Sequence, residues 1–356
     1  MFLLRLQQRR FDDAEALVPQ MQAVLEREFP SNHPEVIDRT RDTARVAEGR
    51  GDYPRAESLL RESQARWERS LGPEHPYLHW GLEQLGRVLL RQGKVDEAVA
   101  HFRRALVIVQ KSCEGAEENY PILAESLDFL GWGLLRQKNP SEAEPLLAKA
   151  VDLMRRHFGP SSRSLAFAVL HWAMAHAALG ALPKAEELAR ESLSIMTDAW
   201  GADHPNTAVC MTELARILES QNRLTEAEPL FREALAMRRK LLGEEHPEML
   251  SATNLYAWRM LTCGAKELRN PEAALDFAQR TCALAEKGGD RNLYMYLDTL
   301  ALAQHMTGDT AAALQTQQRA LTLTPKGDRF QKEFEERLAT YQAALAERAA
   351  PEPSPP

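Results

Sequence analysis

The sequence predicts an all-α fold, a solenoid of antiparallel helix pairs closed by a C-terminal capping helix. Three observations carry that reading. First, a phrase built on Gly-x-x-His-Pro returns along the chain, as LGPEHPYLHW (71–80), WGADHPNTAV (200–209) and LGEEHPEMLS (242–251). Second, its prolines keep a period. Pro34 and Pro76 stand 42 residues apart, as do Pro205 and Pro247, and the 129 residues between Pro76 and Pro205 make three periods of 43. Third, every period carries two apolar patterns at helical spacing. A fixed period of this size marks a repeat architecture.

The elements follow in order. The chain begins inside a first helix whose partner is FDDAEALVPQMQAVLEREF (11–29). This leaves an apolar edge at Phe2, Leu3, Leu4 and Leu6, to be covered by an upstream segment, by a second copy, or by nothing. After Pro76, Leu82, Leu85, Gly86 and Leu89 fall on one helical face. RQGKVDE turns around Gly93, and Ala98, Phe102 and Ala105 mark the second helix of the pair. The same register reads Leu127, Leu130, Gly131 and Leu134, then Ala143, Leu147 and Ala150. It reads again as Met211, Leu214, Ala215 and Leu218, then Ala227, Phe231 and Ala234. A weaker copy runs through Val169, Trp172, Ala173 and His176, then Ala185, Ala189 and Ser192. The two central junctions are altered. CEGAEENYPILAES puts Tyr120-Pro121 in the His-Pro place, and FGPSSRSLAFA has no His-Pro. Gly86 and Ala98 are expected where two helices cross, with the leucines and Phe102 filling the space beside them. One hairpin cannot bury its apolar face alone, so stability comes from stacked neighbours.

The junction residues read as punctuation. Gly72, Gly159, Gly201 and Gly243 are expected to end helices in the left-handed C-cap conformation. Pro34, Pro76, Pro205 and Pro247 are expected to open the next ones, where a missing N–H costs nothing. His33, His75, His204 and His246 then lie at or beside N-caps. A metal site needs convergent ligands, whereas a repeat spreads them along one edge, so neither a metal nor a cofactor is expected.

The pattern Leu-x-x-Leu-Gly/Ala-x-x-Leu, followed by Ala-x-x-x-Phe-x-x-Ala, resembles the tetratricopeptide repeat. The long period, the Gly-x-x-His-Pro junction and the phrase LTEAEPLFREALAMRRKLLGEEHP (224–247) are similar to its kinesin light chain subtype. The resemblance covers residues 1–325 and implies a right-handed superhelical solenoid of about eight repeats. It divides the chain into 42-residue repeats over 1–253 (the first truncated), two divergent repeats over 254–325, a capping helix over 326–349 and a disordered Pro-rich tail over 350–356. Phe330, Phe334, Leu338, Tyr341 and Leu345 give the capping helix its apolar stripe. Residues 254–309 are similar to terminal repeats found behind bacterial serine/threonine kinase domains. The chain itself lacks the kinase motifs: GWGLLR (131–136) has two of three glycines, lies inside a repeat helix, and has Arg136 in the third place.

Bulk properties narrow the function. The chain has 356 residues and a net charge of −7, which disfavours a nucleic-acid binder. Four cysteines without a C-x-x-C pair fit reduced thiols and a cytoplasmic setting. No apolar run approaches a membrane span. No catalytic constellation is expected; His171, His176 and Cys210 are the residual candidates for an unfamiliar site, with His176 read as a hydrogen-bonded core histidine and Trp172 as core packing.

The resemblance implies that the first helix of each pair lines a concave groove. Its free positions nominate Arg41, Arg45, Arg87, Arg91, Trp132, Arg136, His171 and Arg216 as partner-binding residues, with Trp80 at the flank. On this reading the chain is a non-catalytic scaffold for a protein or peptide. Arginines would hold acidic residues and Trp132 an apolar or aromatic anchor. On the competing reading the arginines only pair with Glu83, Asp128 or Glu213, which contributes about 0–1 kcal/mol per exposed pair. The kinase-like repeats raise a second role, as a regulatory or substrate-docking arm of a kinase system.

Overall fold

A computed structural model describes residues 11–30, 33–115, 121–159 and 162–349. The apolar edge at Phe2–Leu6 and the tail at 350–356 lie outside the described residues. Every regular element described is helical. The chain forms two compact units, 1–217 and 218–356.

The first unit contains α1 (Phe11–Glu28), α2 (Pro34–Gly49), α3 (Tyr53–Leu71), α4 (Leu78–Arg91), α5 (Val95–Ser112), α6 (Pro121–Arg136), α7 (Pro140–Phe158), α8 (Arg163–Ala178), α9 (Leu182–Trp200) and α10 (Pro205–Ser220) up to Ile217. The second contains α11 (Leu224–Leu242), α12 (Pro247–Thr262), a short 3₁₀ turn (Lys266–Leu268), α13 (Pro271–Gly288), α14 (Leu293–Met306), α15 (Thr310–Leu323) and α16 (Gln331–Ala349). In most of the long repeats the first helix has 16 residues and the second 19, as in α6 and α7, whereas α4 and α5 have 14 and 18. In the last pair both have 14. The extra length of the long period is thus spread over both helices, about two turns in all.

The apolar register settles the core as read. Leu82, Leu85, Leu89, Ala98, Phe102 and Ala105 are all buried, and so are their counterparts Leu127, Leu130, Leu134, Ala143, Leu147 and Ala150. At the crossing Phe102 lies on Gly86: a Cβ at Gly86 would stand 2.9 Å from Phe102 Cδ1. The other side of the same ring is met by Gly133 of the next repeat, whose Cβ would stand 2.9 Å from Phe102 Cδ2. One aromatic therefore clamps two repeats, and the glycines exist to admit it. Leu147 fills the same place against Gly131. In the second unit, α16 buries Phe334 and Tyr341 against α14 and α15, as a cap must.

The junctions correct two expectations. Gly72, Gly159, Gly201 and Gly243 do have positive φ, but their ψ values of 160, 172, 162 and 165° put them in the extended mirror region instead of the left-handed helical one. Gly201 N–H still closes a bond to Thr197 C=O at 2.8 Å, and ψ then swings the chain straight outward. That region is open essentially to glycine alone. The second correction is Pro76, which precedes its helix by two residues. Tyr77 N–H and Leu78 N–H turn back to His75 Nδ1 and His75 C=O, at 3.2 and 3.0 Å, and the Tyr77 ring docks on Trp67 at 4.7 Å. The histidines act as caps. The Nδ1 atoms of His33, His204 and His246 accept the N–H two residues on, at 3.3, 3.2 and 3.2 Å.

Candidate functional site

Helical spacing fixes which side chains share the face turned away from the pair interface. In α4, Trp80, Glu83, Gln84 and Arg87 stand three or four residues apart or adjacent, on one side of the helix. The repeat carries that face into α2 as Asp38, Arg41, Asp42 and Arg45, and into α6 as Glu125, Asp128, Phe129 and Trp132. It continues as Phe167, Leu170, His171 and Met174 in α8, and as Thr212, Glu213 and Arg216 in α10. These first helices are stitched to one another across the wall. Arg87 of α4 pairs with Glu48 of α2 at 2.6 Å. Ser126 of α6 donates to Glu83 of α4. His171 Nδ1 of α8 donates to Asp128 Oδ1 of α6 at 2.8 Å.

The nominated residues differ in burial and in partners. Arg41 is buried: it pairs with Asp38 at 2.9 Å and lies 3.7 Å from the centroid of the Trp80 ring. Arg45, Arg87 and Arg216 reach solvent, yet each already has a carboxylate of its own chain. Arg45 meets Asp42 at 3.5 Å, Arg87 meets Glu48, and Arg216 meets Glu213 at 3.3 Å. Arg91 and Arg136 are exposed at the end of the wall. Trp80, 40% exposed, stands at its opposite edge. Trp132 and His171 come together, their rings stacked at 5.4 Å with planes 11° apart.

Phe167 and Glu125 are among the members of this face not nominated from sequence. Phe167 stands 6.3 Å from His171 and 6.0 Å from Trp200, extending a half-buried aromatic strip from α6 through α8 to α9. Glu125 accepts from Ser164 at 3.0 Å. Both hold the repeat position of Trp80, so carrying that position forward would have found them.

The electrostatics centre on Glu83. Its carboxyl is 3% exposed, and burial pushes its pKa up to about 8. Glu125 and Asp128 push the same way, while the Ser126 hydrogen bond and Arg87 pull back. Gln84, beside it, is 6% exposed, and its Oε1 has no hydrogen bond.

The residual catalytic candidates do not assemble. Cys210 is fully buried against Ser192, 3.4 Å away, and burial pushes its thiol up to about 11, which keeps the nucleophilic thiolate from forming near neutral pH. His176 is not the hydrogen-bonded histidine expected: its Nε2 is buried without a hydrogen bond, 3.8 Å from Glu144, because Trp172 Nε1 takes the same carboxylate oxygen at 3.0 Å. Trp172 is accordingly only half-buried. Among the described residues there is no group of three or more His, Cys, Asp or Glu placed to hold a metal, and no helix long and apolar enough to cross a membrane.

These helix pairs and their wall define a tetratricopeptide array. The chain belongs to the tetratricopeptide repeat family, whose model matches residues 40–111, 84–156 and 165–240, more than half of the sequence. Among solved structures it is similar to a Rap protein complexed with competence and sporulation factor, at 15% identity and a TM-score of 0.62 over 97% of each chain. It is also similar to a signal transduction ATPase with numerous domains from Pyrococcus horikoshii that has a tetratricopeptide repeat sensor. There the identity is 17% and the TM-score 0.52, over 97% of this chain and 47% of that one. The nearly identical TPR-like repeats of a Podosopora anserina kinesin light chain match at 23% identity and a TM-score of 0.46, over 55% of this chain and 92% of that one. A search of curated proteins returns no match. Arrays of this family are generally protein-interaction modules, and the fold is generally non-catalytic.

Proposed function

We propose that this chain is a non-catalytic interaction scaffold, and that the first-helix wall of its first unit receives an extended segment of a partner protein. The observation that carries the reading is the aromatic strip. Phe129, Trp132, Phe167 and Met174 remain half-buried on this face, with Phe129 stacked on Phe102 at 5.8 Å and Phe167 and Met174 backed by the α8–α9 core. Half-buried rings of this kind supply the apolar anchor points of an interface, and the polar side chains around them form its rim. The arginines at the rim orient the partner and contribute little to affinity, since each would exchange one carboxylate for another.

Affinity capture from the lysate of the source cell tests this. Phe129→Ala combined with Trp132→Ala should lose the captured partner while helical circular dichroism stays unchanged. A partner retained at wild-type yield by that variant would place the binding surface elsewhere.

A further inference from the structure

Carboxylates along the first-helix wall are, with a local exception, matched to arginines. Asp38, Asp42, Glu48 and Glu213 each hold one. The exception lies between α4 and α6. Among the described residues, no arginine or lysine forms an ion pair with Glu83, Glu125 or Asp128. Glu83 and Glu125 take serine hydroxyls, and Asp128 takes a histidine ring. Glu83 and Asp128 are 3% and 6% exposed, and neither is met by a guanidinium or an ammonium. Gln84 adds an independent sign. It sits on the same face at 6% exposure with its carbonyl oxygen unpartnered, and a buried acceptor left in that state asks for a donor. The nearby rings complete the chemistry. No arginine or lysine lies over Trp132 among the described residues, and its ring neighbour is His171.

The chain fills similar combinations elsewhere, and it does so with arginine. In the second unit, Arg337 of α16 lies 4.7 Å from the centroid of Trp258 and pairs with Asp298, a carboxylate 4% exposed that also accepts from Gln317 Nε2 at 2.8 Å. Trp258 holds in α12 the repeat position that Trp132 holds in α6, and Asp298 holds in α14 that of Glu83 and Asp128. A guanidinium suits such a place better than an ammonium does. It is planar, stacks on rings, and offers a fork of donors to several acceptors at once.

We propose that the patch formed by Glu83, Gln84, Glu125, Asp128 and Trp132 is a receptor for an arginine side chain carried by the partner segment. This rests on the wall being a peptide site, and it replaces an acidic partner by a cationic one at this point. The arginine would lie against Trp132 and donate to the Glu125 and Asp128 carboxylates and to the Gln84 amide oxygen, beside the buried Glu83 carboxyl. The rim arginines, already neutralised, would not repel it.

The test uses the full chain and a displayed library of random dodecapeptides. Arginine should be enriched at one position of the selected peptides. Arg→Gln in the best peptide should weaken it at least tenfold, and Arg→Lys by a smaller factor. Glu125→Gln, a half-exposed change that spares the fold, should weaken the arginine peptide severalfold and leave its glutamine version unaltered. Asp128→Asn should do the same more strongly. Selection of acidic or neutral peptides that Phe129→Ala/Trp132→Ala abolishes would overturn the arginine receptor and leave the peptide site standing. An empty selection, or peptides indifferent to the double variant, would remove both.

Discussion

Gly86→Ala offers a sharp test of how the repeats lock together, because two effects of known sign oppose one another at a single atom. In an isolated helix the change should stabilise by about 1 kcal/mol, since glycine is the poorer helix former. In the protein the new methyl meets the Phe102 ring on three of its atoms. That ring is fully buried, and Gly133 blocks retreat on its far side. Overpacking of a closed site costs about 1–3 kcal/mol, so the net effect should be a loss of up to about 2 kcal/mol. Phe102→Ala alone should cost about 3–5 kcal/mol. In that background the obstacle is gone, and Gly86→Ala should turn stabilising by about 0.5–1 kcal/mol. The double-mutant cycle should therefore show a coupling above about 1 kcal/mol. Urea titrations followed by circular dichroism at 222 nm and by near-ultraviolet signal would measure it, fitted with nearest-neighbour terms if the array melts in parts. A Gly86→Ala effect of equal size with and without Phe102 would refute the clamp.

Other changes follow from the same geometry. Gly201→Ala and Gly201→Asn should both destabilise by about 1–3 kcal/mol, since nothing lies within 4 Å of the new Cβ and the cost is backbone alone; rescue by asparagine in a thermal melt would mean a left-handed helical cap after all. Lys138 takes φ of 63° where the neighbouring repeats place Gly93 and Gly180, so Lys138→Gly should stabilise by about 0.5–1 kcal/mol, read from the urea midpoint. Glu83 keeps its proton in the folded state to about pH 8 but loses it near pH 4.5 when unfolded, so the fold loses stability as pH rises through that window. Glu83→Gln should remove that slope, leaving the variant the more stable protein at pH 9 and nearly equal to the parent at pH 4. Urea midpoints across the range would show it, and parallel profiles would contradict the assignment.

The repeat was legible because its signals are local and redundant. A 42-residue interval between prolines and a leucine-glycine register recur often enough to survive the copy that lacks His-Pro. What escaped depends on a second dihedral or on neighbours far away in sequence. Glycine announces positive φ but says nothing of ψ, hence the misread caps. Pro76 looks like Pro247, yet the docking of Tyr77 on Trp67 delays its helix. The wall's residues could be enumerated by spacing, but their charge balance could not. Arg87 finds its partner in Glu48, 39 residues back, and Arg41 disappears beneath Trp80. Only the folded arrangement shows the arginines matched and the Glu83–Asp128 region unmatched.

The most direct test of the wall as a binding surface is site-specific photocrosslinking in the source cell's lysate. A benzoylphenylalanine introduced at Phe129 should trap the partner, whereas the same group at Val107, 50% exposed on the second helix of its pair, should not. Crosslinks from Val107 with none from Phe129 would contradict the account.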